Sequence, residues 1–221
     1  MNDYIWRMTI AAKICGLSSE VAVAAAVEGG AAWLGFIFYP PSPRAVSPAR
    51  AAALIAAVPP GVQRVGLFVD ADDDQIRAVL DLAPIDMLQF HGRESPDRIA
   101  DVTARFHRPV MKAIAVAAPE DVLAAARYEA VADMLLFDAK PPRRSDALPG
   151  GNGLVFDWRL IAGHQWRRPW MLSGGLTAAL LPEAVRISGA SAVDVSSGVE
   201  RHPGDKDPDR IREFLAVAHR L

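Results

Sequence analysis

Eight short apolar runs alternate with helical patterns along the whole 221-residue chain, and no other feature constrains its fold so strongly. The runs are TIAAKIC (9–15), AAWLGFIF (31–38), VQRVGLFV (62–69), IDMLQF (85–90), PVMKAIAV (109–116), ADMLLFD (132–138), PWMLS (169–173) and SAVDVS (191–196). Between them, Ile76, Val79 and Leu80 share one helical face within 72–82, and Ile211, Phe214, Leu215 and Ala218 do the same near the end. Ser47 before Pro48 and Ser95 before Pro96 each place a capping hydroxyl ahead of a proline at the first helical position. Pro119 and Thr177 are expected to start two more helices. Strand–helix alternation requires parallel pairing through right-handed crossovers. Eight such units predict an α/β fold, a single (β/α)8 TIM barrel over residues 9–221, preceded by a short N-terminal extension, 1–8. An open doubly wound sheet is the alternative. The connection 139–158 is too long and too rich in Pro and Gly for a simple link, and loops of that kind are often lids.

About half the residues are apolar and 23% are charged, enough for a large core and against disorder. A net charge of −2 leaves no electrostatic footprint for nucleic acid or an anionic membrane, and neither is expected as a partner. The single cysteine, Cys15, excludes an internal disulfide and a Cys-rich metal site and fits a reducing compartment. The first residues lack the apolar segment of a signal peptide, and no stretch reaches the roughly 18 apolar residues of a spanning helix. A soluble cytoplasmic protein is expected. Nothing in the helix surfaces decides between a monomer and a homodimer.

Barrels gather their chemistry at the C-terminal ends of the strands. The first run ends on Cys15-Gly16, the second leads through YPPSP to Arg44, and the third ends on Asp70. The fourth ends on Gln89-Phe90-His91-Gly92, the sixth on Asp138, the seventh on Ser173-Gly174-Gly175, and the eighth on Asp194 and Ser196-Ser197-Gly198. The fifth carries Lys112 but ends on apolar residues. SGGL and SSGVE fall on the two loops that form barrel phosphate sites, where glycines let backbone N–H groups approach an anion; each alone reads equally as an ordinary turn. They imply a small phosphorylated substrate. Cys15 is either a small buried hydrophobe or a base if its surroundings favour the thiolate. Asp138 is either a cap or salt-bridged loop residue, or an acid whose pKa burial has raised. Arg44 can clamp a carboxylate in its fork, or lie on the surface. His91 can donate to substrate or serve structurally. The histidine spacing supplies no metal site, and without GxGxxG or a P-loop no cofactor is indicated.

Taken in order, KICGL, GFIFYPPSPR, VGLFVD, LQFHG, LLFDAK, GGNG…FDW, LSGGL and VDVSSGVE resemble the phosphoribosylanthranilate isomerase family of tryptophan biosynthesis, over about 13–221. SGGL is shared with other phosphate-binding barrels, whereas KICG with SPR, QFHG and DVSSGVE is far more specific. The resemblance implies a cofactor-free Amadori rearrangement with Cys15 as general base and Asp138 as general acid. It implies that Arg44 binds the anthranilate carboxylate, that His91 and Asp194 lie near the ribulose chain, and that Gly174, Gly175, Ser197 and Gly198 bind phosphate. One departure is Asn152, in GGNG, where a hydroxyl residue is expected. The rival readings are another phosphosugar barrel enzyme, a non-catalytic phosphosugar-binding barrel, and an isomerase of the related histidine-pathway aminoaldose.

Overall fold

A computed structural model describes residues 9–141 and 148–221. The expected extension 1–8 and the central part of the long connection lie outside the described residues. Each of the eight apolar runs forms a strand: β1 (Ala11–Cys15), β2 (Trp33–Ile37), β3 (Gln63–Phe68), β4 (Met87–Phe90), β5 (Val110–Val116), β6 (Met134–Ala139), β7 (Trp170–Leu172) and β8 (Ala192–Val195). They pair in sequence order and close into one parallel barrel, which rules out the open sheet. Closure is made by β1 on β8, with Lys13 directly opposite Asp194. A two-stranded hairpin, β9 (Glu200–His202) and β10 (Asp205–Lys206), follows the barrel.

Seven α-helices cover the described barrel: α1 (Glu20–Glu28), α2 (Pro48–Ile55), α3 (Asp73–Leu80), α4 (Pro96–Phe106), α5 (Pro119–Ala125), α6 (Leu181–Ser188) and α7 (Pro208–Ala218). The expected caps are present: Ser47 Oγ accepts from the Arg50 N–H at 3.1 Å, and Ser95 Oγ from that of Arg98 at 3.2 Å. Thr177 does not start α6 but opens a turn ahead of it, its Oγ1 accepting from the Leu180 N–H. Pro182 explains the delay, since it has no N–H to donate back to residue 178. Between β6 and β7 the described residues form only a 3-10 turn, Trp158–Leu160. Pro149, Gly150, Gly151 and Gly153 stand there, poor material for a helix.

The core has two layers, as the two faces of each buried strand require. Phe36, Phe68, Phe90, Phe137 and Phe214 are among the side chains fully buried in the larger cluster that includes helix and strand residues. Inside the barrel, Met87, Met111, Met134 and Met171, from the adjacent strands β4 to β7, pack with Val65 and Leu136. Nearer the C-terminal ends the interior changes to Cys15, Ile37 and Leu67 and then to polar groups. Phe214 of α7 is wholly buried. Phe214→Ala should therefore cost about 3–5 kcal/mol, read as a lower urea midpoint with the slope unchanged.

Candidate active site

The polar groups at the C-terminal ends of the strands converge on one cleft. Every site residue that the resemblance implies lines it: Cys15, Arg44, His91, Asp138 and Asp194, with Gly174, Gly175, Ser197 and Gly198. Asp70 does not. It turns away at a positive φ of 50°, and its Oδ1 accepts from the Arg93 N–H at 2.6 Å, tying the loop after β3 to the loop after β4.

Cys15 ends β1 facing inward, opposite Gly35 of β2. A Cβ at position 35 would stand 2.9 Å from Cys15 Sγ and 3.1 Å from Lys13 Nζ, so glycine alone leaves room for both groups around that point. Lys13 is completely buried; its Nζ donates to Asp194 Oδ1 at 2.8 Å, and Asp194 Oδ2 accepts from Ser173 Oγ at 3.0 Å. Burial pushes the Cys15 thiol above its ordinary pKa, and the neighbouring Lys13 ammonium offsets only part of that rise. Burial alone would favour loss of the Lys13 proton, but Asp194 and Cys15 hold it firmly in place.

Asp138, near the end of β6, is 5% exposed. Its Oδ1 accepts from the Ala139 N–H at 2.8 Å, and its Oδ2 lies 3.1 Å from His91 Nε2. His91 Nδ1 in turn lies 3.2 Å from Gln89 Nε2 on β4. Gly150, in the loop after β6, sits directly over this pair: a Cβ there would come within 2.7 Å of His91 Nε2 and 2.9 Å of Asp138 Oδ2. Asn152 holds the same loop through its side-chain amide, which donates to the Leu148 carbonyl at 2.8 Å. Its departure from a hydroxyl residue therefore leaves a hydrogen bond in place.

Arg44 is buried rather than on the surface. Its Nε and one terminal nitrogen grip Glu200 at 2.7 and 2.8 Å, and the same terminal nitrogen donates to the Gly151 carbonyl. One edge of the fork is thus already filled from within the protein. Lys206 Nζ also donates to Glu200, at 2.6 Å, and to Ser196. Burial favours the neutral acid at Glu200, yet Arg44 and Lys206 hold it below the usual carboxylate range. Lys206 is itself pushed down by burial. Two cations around one carboxylate leave this wall of the cleft positive.

Gly174 and Gly175 turn through φ of 91° and 61°, a left-handed stretch that a side chain resists. Their N–H groups have no main-chain acceptor among the described residues. Ser197 and Gly198 open a short 3-10 turn, Ser197–Val199, whose first N–H groups lack partners within the turn. Behind the cleft, buried Lys112 of β5 donates to the Gly92 carbonyl at 2.9 Å and to Glu94 at 3.0 Å, bracing the loop that carries His91. Lys13, Gln89, Glu200 and Lys206 were missed as site residues, although the first three stand inside KICGL, LQFHG and VDVSSGVE. Among the described residues, no group of three or more His, Cys, Asp or Glu can hold a metal ion, and no helix is long and apolar enough to cross a membrane.

A closed (β/α)8 barrel that turns a thiol, a carboxyl, a buried arginine and paired glycine loops into one cleft has the layout of a barrel enzyme. The family model described as N-(5'phosphoribosyl)anthranilate (PRA) isomerase matches residues 12–217. An N-(5'-phosphoribosyl)anthranilate isomerase of Paracoccus denitrificans is 56% identical over 211 residues, covering 96% of this chain and 98% of that one. The crystal structure of the Thermotoga maritima enzyme superposes with a TM-score of 0.86 at 36% identity, over 96% of this chain and 100% of that one. A further structure of such an isomerase, in complex with reduced 1-(o-carboxyphenylamino)-1-deoxyribulose 5-phosphate, gives a TM-score of 0.83 at 34% identity, with the same coverage. The chain belongs to the phosphoribosylanthranilate isomerase family.

With burial holding its thiol protonated, Cys15 should react slowly with iodoacetamide at pH 7 and increasingly fast as the pH passes 9. Lys13→Met removes the cation that favours the thiolate and should slow labelling further at every pH. Mass-spectrometric labelling rates check both, and a faster Lys13→Met would contradict this account of the thiol.

Proposed function

We propose that Cys15 and Asp138, as general base and general acid, catalyse the Amadori rearrangement of N-(5-phosphoribosyl)anthranilate to 1-(2-carboxyphenylamino)-1-deoxyribulose 5-phosphate, a step of tryptophan biosynthesis. One observation carries this reading. The thiol and the carboxyl, on β1 and β6, face a single cleft that has a positive wall at Arg44 and glycine-rich loops after β7 and β8.

Asp138 gives its proton to the ribose ring oxygen. The bond from that oxygen to C1′ breaks, and the anthranilate nitrogen supplies the electron pair that makes a protonated Schiff base. Cys15 then takes the C2′ proton, and the C–H electrons form a C1′–C2′ double bond while the iminium pair returns to nitrogen. The enolamine tautomerises to the aminoketose as the C2′ hydroxyl loses its proton and C1′ gains one. Atoms and electrons balance, and the substrate's nitrogen is the electron sink, so the chemistry needs no cofactor.

The remaining groups orient. The remaining terminal nitrogen of Arg44 receives the anthranilate carboxylate while Glu200 and the Gly151 carbonyl hold the rest of the fork. Gly174, Gly175, Ser197 and Gly198 receive the phosphate through backbone N–H groups. His91 and Asp194 flank the ribulose chain. Anchoring both ends holds C2′ between base and acid, which turns remote binding energy into orientation.

Loss of substrate fluorescence reports turnover. Cys15→Ser and Asp138→Asn should each keep the fold by circular dichroism and lose about 10²–10⁴ in kcat. Near-normal turnover in either variant removes that residue from its role. Arg44→Ala should raise KM for the anthranilate-bearing substrate while inorganic phosphate still inhibits. Because the thiol that must ionise, set among Lys13, Asp194 and Lys206, is pushed up, kcat/KM should climb with pH above neutrality. A flat pH profile from 7 to 9 would argue against a thiolate base.

A further inference from the structure

Gln89 has no part in the chemistry above, yet it is fully buried beside His91 and lines the cleft. We infer that Gln89 is a positioning residue: its amide N–H fixes His91 as the Nε2–H tautomer, so that His91 donates to Asp138 and cannot accept its proton. The inference rests on the reading of Asp138 as the general acid.

The chain of contacts runs in one direction. Gln89 Nε2 is 3.2 Å from His91 Nδ1, and His91 Nε2 is 3.1 Å from Asp138 Oδ2. An amide nitrogen only donates, so Nδ1 must present its lone pair. A neutral imidazole with a bare Nδ1 carries its proton on Nε2, the nitrogen that faces the acid.

Turning the amide over would put Oε1 against Nδ1 and reverse the tautomer. Burial decides between the two orientations. As it stands, the one unpartnered buried atom of Gln89 is Oε1. The structure sets the amide nitrogen, not the oxygen, against Nδ1, and an under-used buried oxygen is a commoner fault than an orphaned N–H.

The tautomer matters because of where the proton must go. A bare Nε2 beside Asp138 would be a far better proton acceptor than a ribose ring oxygen and would drain the acid before the substrate used it. With Nε2 already protonated, that escape is closed. Gly150 lies over the pair, where a Cβ would stand 2.7 Å from His91 Nε2.

The test is 15N NMR of the labelled full-length protein near pH 7, with the His91 signals identified by their loss in His91→Asn. The expected result is an unprotonated Nδ1 and a protonated Nε2. Gln89→Glu places a carboxylate at Nδ1, which demands a proton there. It should move His91 to the Nδ1–H tautomer or the imidazolium and lower kcat by about tenfold or more, with KM within about twofold. Gln89→Met offers neither donor nor acceptor and should mix the tautomers with a smaller fall in kcat. A wild-type spectrum with Nδ1 protonated overturns the inference alone, even if Gln89→Glu fails to fold. So does a Gln89→Glu protein that changes tautomer at full kcat. Full turnover of Asp138→Asn, by contrast, overturns the acid reading and this inference together, leaving the tautomer itself as measured.

Discussion

The barrel closes where β8 meets β1, and a buried ion pair sits on that seam. Lys13 and Asp194 are 181 residues apart and face each other in register. Taking two charges out of water costs several kcal/mol for each, and leaving one without the other costs about 3–5 kcal/mol. The seam is therefore strongly specified. A slip of one residue would turn one of the two charged groups towards the apolar helix layer and leave the other unpaired. The same pair is also the floor of the cleft. Asp194 holds Ser173 at the start of the loop after β7, and Lys13 lies beside the Cys15 thiol. Closure of the sheet and the charge around the Cys15 thiol are thus one arrangement.

The elements that were legible in the sequence are those set by local physics. All eight strands stand where uninterrupted apolar runs stand, because a strand buried on both faces has no polar face to show. Ser47 and Ser95 cap where they precede proline, because the capping bond spans only three residues. Thr177 misled because the proline that delays α6 lies five positions further on. That the described residues after β6 form only a 3-10 turn was foreshadowed by the prolines and glycines of the connection. In the cleft, Cys15, Asp138 and the glycine loops could be found from strand ends, since topology alone sends those ends to one rim. Lys13, Glu200 and Lys206 could not. A buried charge is tolerable only through its partner, and no local pattern says that Lys13 will meet Asp194 or that Arg44 will meet Glu200 across 156 residues. Gln89 stood in view at the end of the fourth run, but its meaning lies in the ring beside it and in the carboxyl beyond that ring.

The charges are sorted by depth. At the floor Lys13 and Asp194 pair charge against charge. At the wall Arg44 and Lys206 outnumber Glu200, so the mouth attracts an anion. Arg44 spends Nε and one terminal nitrogen on Glu200 and the Gly151 carbonyl, which fixes the guanidinium in place, and its other terminal nitrogen has no partner among the described residues. A guanidinium held that way loses little freedom when it meets a carboxylate. Beneath all of this lie four methionines, a pliant filling that fits the barrel without demanding one shape from the layer above.

Three glycines bind the rim into a single piece. A side chain at Gly198 would overlap the Leu176 carbonyl, one at Gly175 would press on the Leu154 carbonyl, and one at Gly174 would meet the Ala139 nitrogen. Each is a place where one loop's backbone fills the notch in its neighbour. The loops after β6, β7 and β8 are consequently keyed to one another like the wards of a lock. Descent can lengthen or recolour the rest of this barrel one loop at a time. These three have to be inherited, or transplanted into another scaffold, as a set.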